Sequence, residues 1–544
     1  MSFPQIIDYN EAVQDTASAF TDPILRGGRV AETGLGLPLA LSGGFALTYE
    51  ITAGGRKYAI RCFHRQVPEV QARYQAVSTT LKRLANPYFV DFDFQPTGIT
   101  VRGQKHPIVK MDWVEGETLG VHLDRVASSP SDIQALRQAF SDLAGFLESH
   151  GVAHGDIQNE NVMVSGKALR LIDYDGMFVP GMAIGSGSEV GHKHFQHPGR
   201  GVRDFGPAMD RFSFIVLDVS FEALMADPTL HRKFREGGQA IIFKANDFAD
   251  PGASEVFRLL DGLPAVRDSA RKLAAVCQAP LSAVPALTDF IAGRNIPIVA
   301  ARTATAEQIV KPVGYISAFP VIDGADFAMA MGAVGEKVEI VGKIVSVYEG
   351  KSQRGRHRGS PFVFINFGLW NGQNVKITIW SEGLGAISAR PTPAWTGRWI
   401  SVTGLVEPPY DGKRYGYTSV GITVVSDNQI IPLSEKEAKF RLAQSTALEE
   451  GRVVRAGSNQ DILRIIRNPG GASAPSRTPA PAAKPGTKNE AILASLRQSV
   501  PASIATGSSS SPVGSHSPQT AQNRIPWWIW VLGGLIVLAW LNWK

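Results

Sequence analysis

His154-Gly155-Asp156-Ile157-Gln158-Asn159-Glu160-Asn161-Val162-Met163-Val164, followed by Leu169-Arg170-Leu171-Ile172-Asp173-Tyr174-Asp175-Gly176, is the stretch on which the reading of this 544-residue chain turns. It follows a run with helical apolar spacing, ALRQAFSDLAGFLESHGVA. A short strand hairpin is predicted between Asn161 and Asp173. An aspartate, an asparagine five residues later and another aspartate twelve beyond that suit Mg-nucleotide chemistry. One carboxylate orients or deprotonates a hydroxyl, while the asparagine and the second carboxylate hold Mg²⁺ on phosphates. Isolated Asp and Asn residues are usually turn formers. The ordered set is far more specific.

These residues resemble the protein kinase superfamily, in the manner of divergent bacterial serine/threonine protein kinase-like domains. The loop matches the family's H-x-D-x-x-x-x-N pattern, and Asp173-Tyr174-Asp175-Gly176 is similar to its D-F-G metal motif. The resemblance covers about 30 to 295 and implies an α+β, two-lobed domain over residues 1–300 with ATP and Mg²⁺ as cofactors. It makes Asp156 and Asn161 the catalytic pair and Asn161 and Asp173 the metal ligands. It also places a hinge strand at Ile108 to Gly116, with Met111 behind the adenine and Asp112, Trp113 and Val114 offering backbone to it. Met209-Asp210-Arg211-Phe212-Ser213 resembles the D-x-[WF]-S helix start that supports the catalytic loop from below. Ser186 and Ser188 fall in an activation-like segment.

The chain departs from that pattern in the nucleotide-covering lobe. The family's V-A-I-K is Tyr58-Ala59-Ile60-Arg61 here, and a forked guanidinium is not a geometric copy of an ammonium. The glycine-rich loop retains only Gly43 and Gly44, a pair that also fits a hairpin turn. After Glu69 no acid follows until Asp91, so either Glu69 pairs with Arg61 or the usual strand–helix ion pair is missing. Gln196-His197-Pro198-Gly199-Arg200 stands where the family has A-P-E. The resemblance implies a protein serine/threonine kinase acting on a protein hydroxyl. The departures leave a second reading open, a pseudokinase scaffold that recruits partners.

The rest of the chain points to a multidomain protein. Its length exceeds one core, and 44% apolar with 19% charged residues fits globular material diluted by something less charged. The net charge of +6 permits contact with phosphate or anionic lipid without demanding it. Two cysteines, Cys62 and Cys277, exclude a disulfide scaffold, and no Cys/His cluster has zinc-ligand spacing.

Residues 301–334 read as a linker. Residues 335–430 hold five strand-like runs and one short helical run (EGLGAIS), and resemble an OB-fold barrel. Its basic loop, Glu349 to Gly359, with Phe362, Phe364, Phe367, Trp370 and Trp380, suits single-stranded nucleic acid. Packing of Phe362 and Phe364 inside the barrel, with protein or lipid at the loop, is the competing reading. Residues 431–468 read as a helical segment, and 469–524 as a disordered Pro/Ala/Ser-rich linker with a short helical motif near 488–498. Ile525 to Trp543 carries no charge, and its nineteen residues span roughly 28 Å as a helix. Tryptophans at both ends mark a transmembrane anchor. The expectation is a single-pass, C-terminally anchored membrane protein with cytoplasmic N-terminal domains.

Overall fold

The computed structural model describes residues 4–32, 36–42, 46–64, 70–185, 187, 189–235, 238–298, 314–352, 358–412 and 416–451. The chain divides into two units, Met1–Gly451 and Arg452–Lys544. The second unit lies outside the described residues, and with it the short motif near 488–498 and the apolar run 525–543. Among the described residues, no helix is long and apolar enough to cross a membrane. The first unit is α+β, and its described residues form four sheets.

The first sheet is antiparallel and runs β1 (Arg29–Val30), β3 (Ala46–Ala53), β4 (Arg56–Phe63), β6 (Gln104–Asp112), β5 (Phe92–Val101), with β2 (Ala40–Ser42) also paired to β3. Strand side chains alternate between faces. On β4, Tyr58, Ile60 and Cys62 enter a core with Tyr9, Phe20 and Leu25 from the N-terminal helical segment. Ala59 and Phe63 face the other way, into the main core beside the helix Val70–Leu84. Arg61 shares that second face, which is how a cation becomes 4% exposed in the middle of a strand.

The helix Pro130–His150 starts with proline in its first turn and stops at Gly151 in the left-handed region, φ 61°. Ile133, Leu136, Phe140, Leu143, Ala144 and Leu147 form its buried stripe. It packs on the helix Arg211–Ala226, buried along most of its length, and Arg137 grips Asp218 there through two bonds of 2.6 and 2.9 Å. Beyond it lies a three-stranded sheet of β7 (Glu117–Thr118), β8 (Val162–Ser165) and β9 (Ala168–Leu171). The hairpin expected between Asn161 and Asp173 is therefore present.

The third region has its own core of Val338, Ile340, Val363, Ile365, Ile377 and Ile422 with their neighbours. One sheet runs β10 (Val321–Asp323), β11 (Lys337–Lys343), β15 (Trp399–Leu405), β18 (Ile430–Leu433). The other runs β12 (Ser346–Lys351), β13 (Pro361–Asn366), β14 (Gln373–Ile379), β17 (Tyr417–Val424), β16 (Glu407–Gly412). β11 leads into β12 and β15 into β16, so the two sheets join into one circuit. The β14–β17 pairing is parallel and the short helix Ser381–Ala386 follows β14. All five strand-like runs and the short helix lie where the sequence places them. Residues 321–334, read as linker, instead supply β10 and the helix Phe327–Gly332, because Ile322, Ala330 and Ala333 bury in this core. The helix Glu435–Gly451 closes the unit. Its Arg441 pairs with Glu339 of β11 at 2.8 Å, both side chains 4% exposed.

Candidate active-site cleft

Two loops meet where the sequence concentrates its polar residues. Ala153 and Phe178 exchange backbone bonds of 3.0 and 2.8 Å, laying the 153–156 loop against the 174–178 turn. Gly155 makes that approach feasible. Its φ is +87°, and a Cβ there would stand 2.4 Å from the Gly176 carbonyl oxygen. Asp210 accepts from the backbone N–H of His154 (2.5 Å) and Gly155 (2.8 Å), so a buried carboxylate holds the loop from beneath. The His154 ring is buried and its Nε2 lies 2.9 Å from the Ile172 carbonyl.

Asp156 and Asn161 are brought together directly. Asn161 Nδ2 donates to Asp156 Oδ2 at 2.8 Å and to its carbonyl at 3.0 Å, while the Ile172 N–H donates to the Asn161 carbonyl. The other Asp156 oxygen accepts from the His192 N–H at 2.7 Å. Burial raises the Asp156 carboxyl above its ordinary range.

Asp173 opens the 174–176 turn in the left-handed region, φ 65° and ψ 76°. Tyr174 anchors the turn in the core: its hydroxyl donates to the Leu171 carbonyl (2.7 Å) and accepts from the Val90 N–H (2.9 Å). The hydrophobic position of the motif is thus a fixed post.

Arg61 reaches this turn from β4. Nη1 donates to Asp173 Oδ1 at 2.6 Å and Nη2 to Asp175 Oδ2 at 2.5 Å. Tyr74, on the helix Val70–Leu84, donates its hydroxyl to the other Asp175 oxygen. Burial opposes the Arg61 charge, but Asp173 and Asp175 outweigh it and hold the guanidinium firmly protonated. Burial likewise pushes Asp173 up, yet Arg61 prevails and its carboxyl lies below the ordinary range. Asp175 is the opposite case, with burial keeping it raised.

Glu69, Gly43, Gly44, Ser186 and Ser188 lie outside the described residues. Among the described residues, the acidic partners of Arg61 come from the Asp173–Asp175 turn, and the helix contributes a tyrosine. Tyr74 and the role of Asp175 were not singled out from the sequence, although Asp175 stands in the quoted motif. Glu189 was missed too. Its Oε1 lies against Gly176, and burial together with Asp175, Asp173 and Asp156 raises its carboxyl far above the ordinary range.

Met111 is buried on β6, with Ala59 and Phe92 as its partners in the adjacent strands. Asp112 pairs with Tyr58, the Trp113 N–H donates to the Lys57 carbonyl at 3.1 Å, and Trp113 and Val114 pack on the main core. These four therefore line the exit of β6 beside the strand that carries Arg61.

Among the described residues, no three His, Cys, Asp or Glu side chains converge to hold an ion by themselves. Asn161 and Asp173 offer an amide and a carboxylate, and the Asp173 side chain is 39% exposed to the cleft. That pair suits Mg²⁺, which keeps few protein ligands and completes its shell with phosphate and water.

On β13, Phe362 and Phe364 share a face, as alternation requires, but it is the face away from the core, which Val363 and Ile365 occupy. Tyr348, Phe362, Phe364 and Trp380 form a connected group with centroids 4.8 to 6.3 Å apart. The Lys376 ammonium sits 4.8 Å from the Phe364 ring.

No protein-family model matches this chain, and no curated protein matches it either.

Proposed function

We propose that the chain is an ATP- and Mg²⁺-dependent phosphotransferase with a protein-kinase-like domain, transferring phosphate to a hydroxyl acceptor. One observation carries this reading: Asp156 and Asn161 are hydrogen-bonded into a single unit, facing the Asp173 turn that Arg61 grips. When bound, Mg-ATP supplies the phosphoryl group and the charge neutralisation at its phosphates. Asp156 positions the acceptor hydroxyl and takes up its proton. Asn161 and Asp173 hold the metal, Arg61 adds a fixed positive charge, and Met111 with the Asp112–Val114 segment forms the adenine side.

The five-stranded sheet with its parallel β14–β17 pair, joined to the four-stranded sheet through β11–β12 and β15–β16, supports an OB-like barrel. The outward aromatic group with Lys376 supports single-stranded nucleic acid as its ligand, since bases stack on aromatic faces while cations track phosphates. The apolar run Ile525–Trp543 supports membrane tethering.

The test uses the full chain in detergent with γ-labelled ATP and Mg²⁺, beside Asp156→Asn. Transfer that Asp156→Asn leaves undiminished refutes the catalytic assignment. Mg-ATP that fails to raise the melting temperature leaves the scaffold reading in its place. For the barrel, labelled single-stranded DNA is titrated at low and high salt with Phe364→Ala as control. Absence of binding at low salt removes nucleic acid.

A further inference from the structure

The third region sends one charged side chain towards the cleft. Lys337 opens β11, and the surrounding backbone fixes where it stands. Its register partner on β15 is Leu405, which is 4% exposed and belongs to the core built by Tyr9, Val13 and Ile51. Just before it the Gly335 N–H donates to the Val406 carbonyl at 2.8 Å, and the Val406 N–H to the Glu336 carbonyl at 3.0 Å. On the helical side Gln239 Nε2 donates to Thr403 Oγ1 at 3.0 Å, and Asn246 exchanges bonds of 2.7 and 3.0 Å with the Gly314 carbonyl and the Ile316 N–H. The third region is thus held against both the first sheet and the helical part of the preceding region.

The Lys337 side chain is positioned as well. The Glu339 N–H donates to the Pro320 carbonyl at 2.9 Å, which lays Phe319 beside β11, and the Lys337 ammonium sits 4.6 Å from the Phe319 ring centre. That ring meets His192 edge-on at 6.0 Å, and the His192 N–H is the one that holds Asp156 at 2.7 Å. Lys337, Phe319 and His192 border one open hollow with Gln158 and Glu160 of the Asp156 loop. Burial pushes the Asp173 carboxyl up, but Arg61 foremost, then His154 and Lys337, draw it below its ordinary range, so the Lys337 charge is within electrostatic reach of that carboxylate. Among the described residues, no carboxylate stands within ion-pair distance of Lys337. A half-buried ammonium laid on an aromatic face, without a counter-ion of its own, is free to engage an anion that a ligand brings.

Resting on the phosphotransfer reading above, we propose that Lys337 donates to the γ-phosphoryl group of Mg-ATP, so that the third region contributes a residue to the transfer site. Arg61 reaches Asp173 from β4, whereas Lys337 comes from the side of His192 and Asp156. The phosphoryl group that passes from the Asp173 side to a hydroxyl at Asp156 lies between these two cations. The α- and β-phosphates do not travel that path.

The test is calorimetric titration of the full chain in detergent with Mg-ADP and with the Mg complex of the β,γ-imido analogue of ATP, which keeps a γ-phosphate and is not turned over. Lys337→Met is expected to weaken the analogue by about tenfold or more while leaving Mg-ADP within about twofold of wild type. Lys337→Arg is expected to recover most of the loss. Lys343→Met, which removes a charge from the exposed far end of β11, is expected to change neither affinity. The melting temperature of Lys337→Met is expected to stay within about 2 °C of wild type. Equal weakening of both nucleotides by Lys337→Met overturns the proposal in favour of a structural role. An unchanged affinity for the analogue overturns it too, as does a loss that Lys343→Met reproduces. A wild type that binds neither nucleotide strikes the phosphotransfer reading itself, and the Lys337 assignment falls with it.

Discussion

Replacing Arg61 by methionine removes the cation between two carboxylates while retaining most of its volume. Asp175 is 9% exposed, so breaking its pair strands a buried charge and costs about 3–5 kcal/mol. The Asp173 side chain is 39% exposed, and solvent screening reduces its share to about 1 kcal/mol or less. The sum is about 4 kcal/mol, most of it from Asp175. For a cooperative unit the size of Met1–Gly451, about 1 °C accompanies each kcal/mol, so a fall of about 4 °C is expected by scanning calorimetry. Asp175→Asn in the Arg61→Met background removes the stranded charge and recovers part of the loss. A coupling energy of about 2 kcal/mol is therefore expected from the double-mutant cycle. Additivity within about 0.5 kcal/mol, or an unchanged Tm for Arg61→Met, refutes this charge arrangement.

Other expectations can be checked separately. Gly155→Ala forces φ +87° on a residue with a Cβ aimed at the Gly176 carbonyl, so phosphate transfer is lost while Mg-ATP binding weakens less. Asp22 caps the helix Pro23–Arg26 and pairs with Lys110 at 2.5 Å. Burial pushes its carboxyl up, but bonds from Lys110, Gln95 and the Ile24 and Leu25 N–H groups outweigh it and hold it below its ordinary range. A lowered folded value stabilises above the unfolded value of about 3.9 and loses that stabilisation as pH falls through the folded one. Asp22→Asn is thus expected to cost about 2 kcal/mol at pH 7 in urea unfolding, with the difference from wild type closing below about pH 4. Glu339 accepts from Ser401, Arg441, Tyr315 and Ser317, so Glu339→Gln is expected to cost about 3–5 kcal/mol and free the C-terminal helix to proteolysis.

The parts of this unit that sequence reading reaches are those encoded locally. The Asp156–Asn161 loop is legible because each polar residue has a fixed offset along the chain. The strands of the third region are legible because apolar and polar residues alternate. Phe362 and Phe364 mark the limit of that signal: alternation places them on one face, while only the paired strands decide that Val363 and Ile365 turn inward. Arg61 marks another limit. Its partner was sought on the following helix, but Asp175 lies 114 residues away and depends on Tyr74 for its position. Within the stretch 301–334 read as linker, 321–334 packs through three short apolar contacts, Ile322, Ala330 and Ala333, which acquire meaning only beside the sheets of the third region. The contact of the third region with the preceding one has no local pattern at all, since Gln239 and Thr403 are unremarkable polar residues until the chain is folded.

Calorimetric titration of the full chain with Mg-ATP, repeated with Asp173→Ala, tests the central claim most directly. Saturable binding by the wild type, weakened by about tenfold or more in Asp173→Ala, is the expected result. Absence of heat with the wild type, or equal affinity in both chains, contradicts a nucleotide site built on Asn161, Asp173 and Arg61.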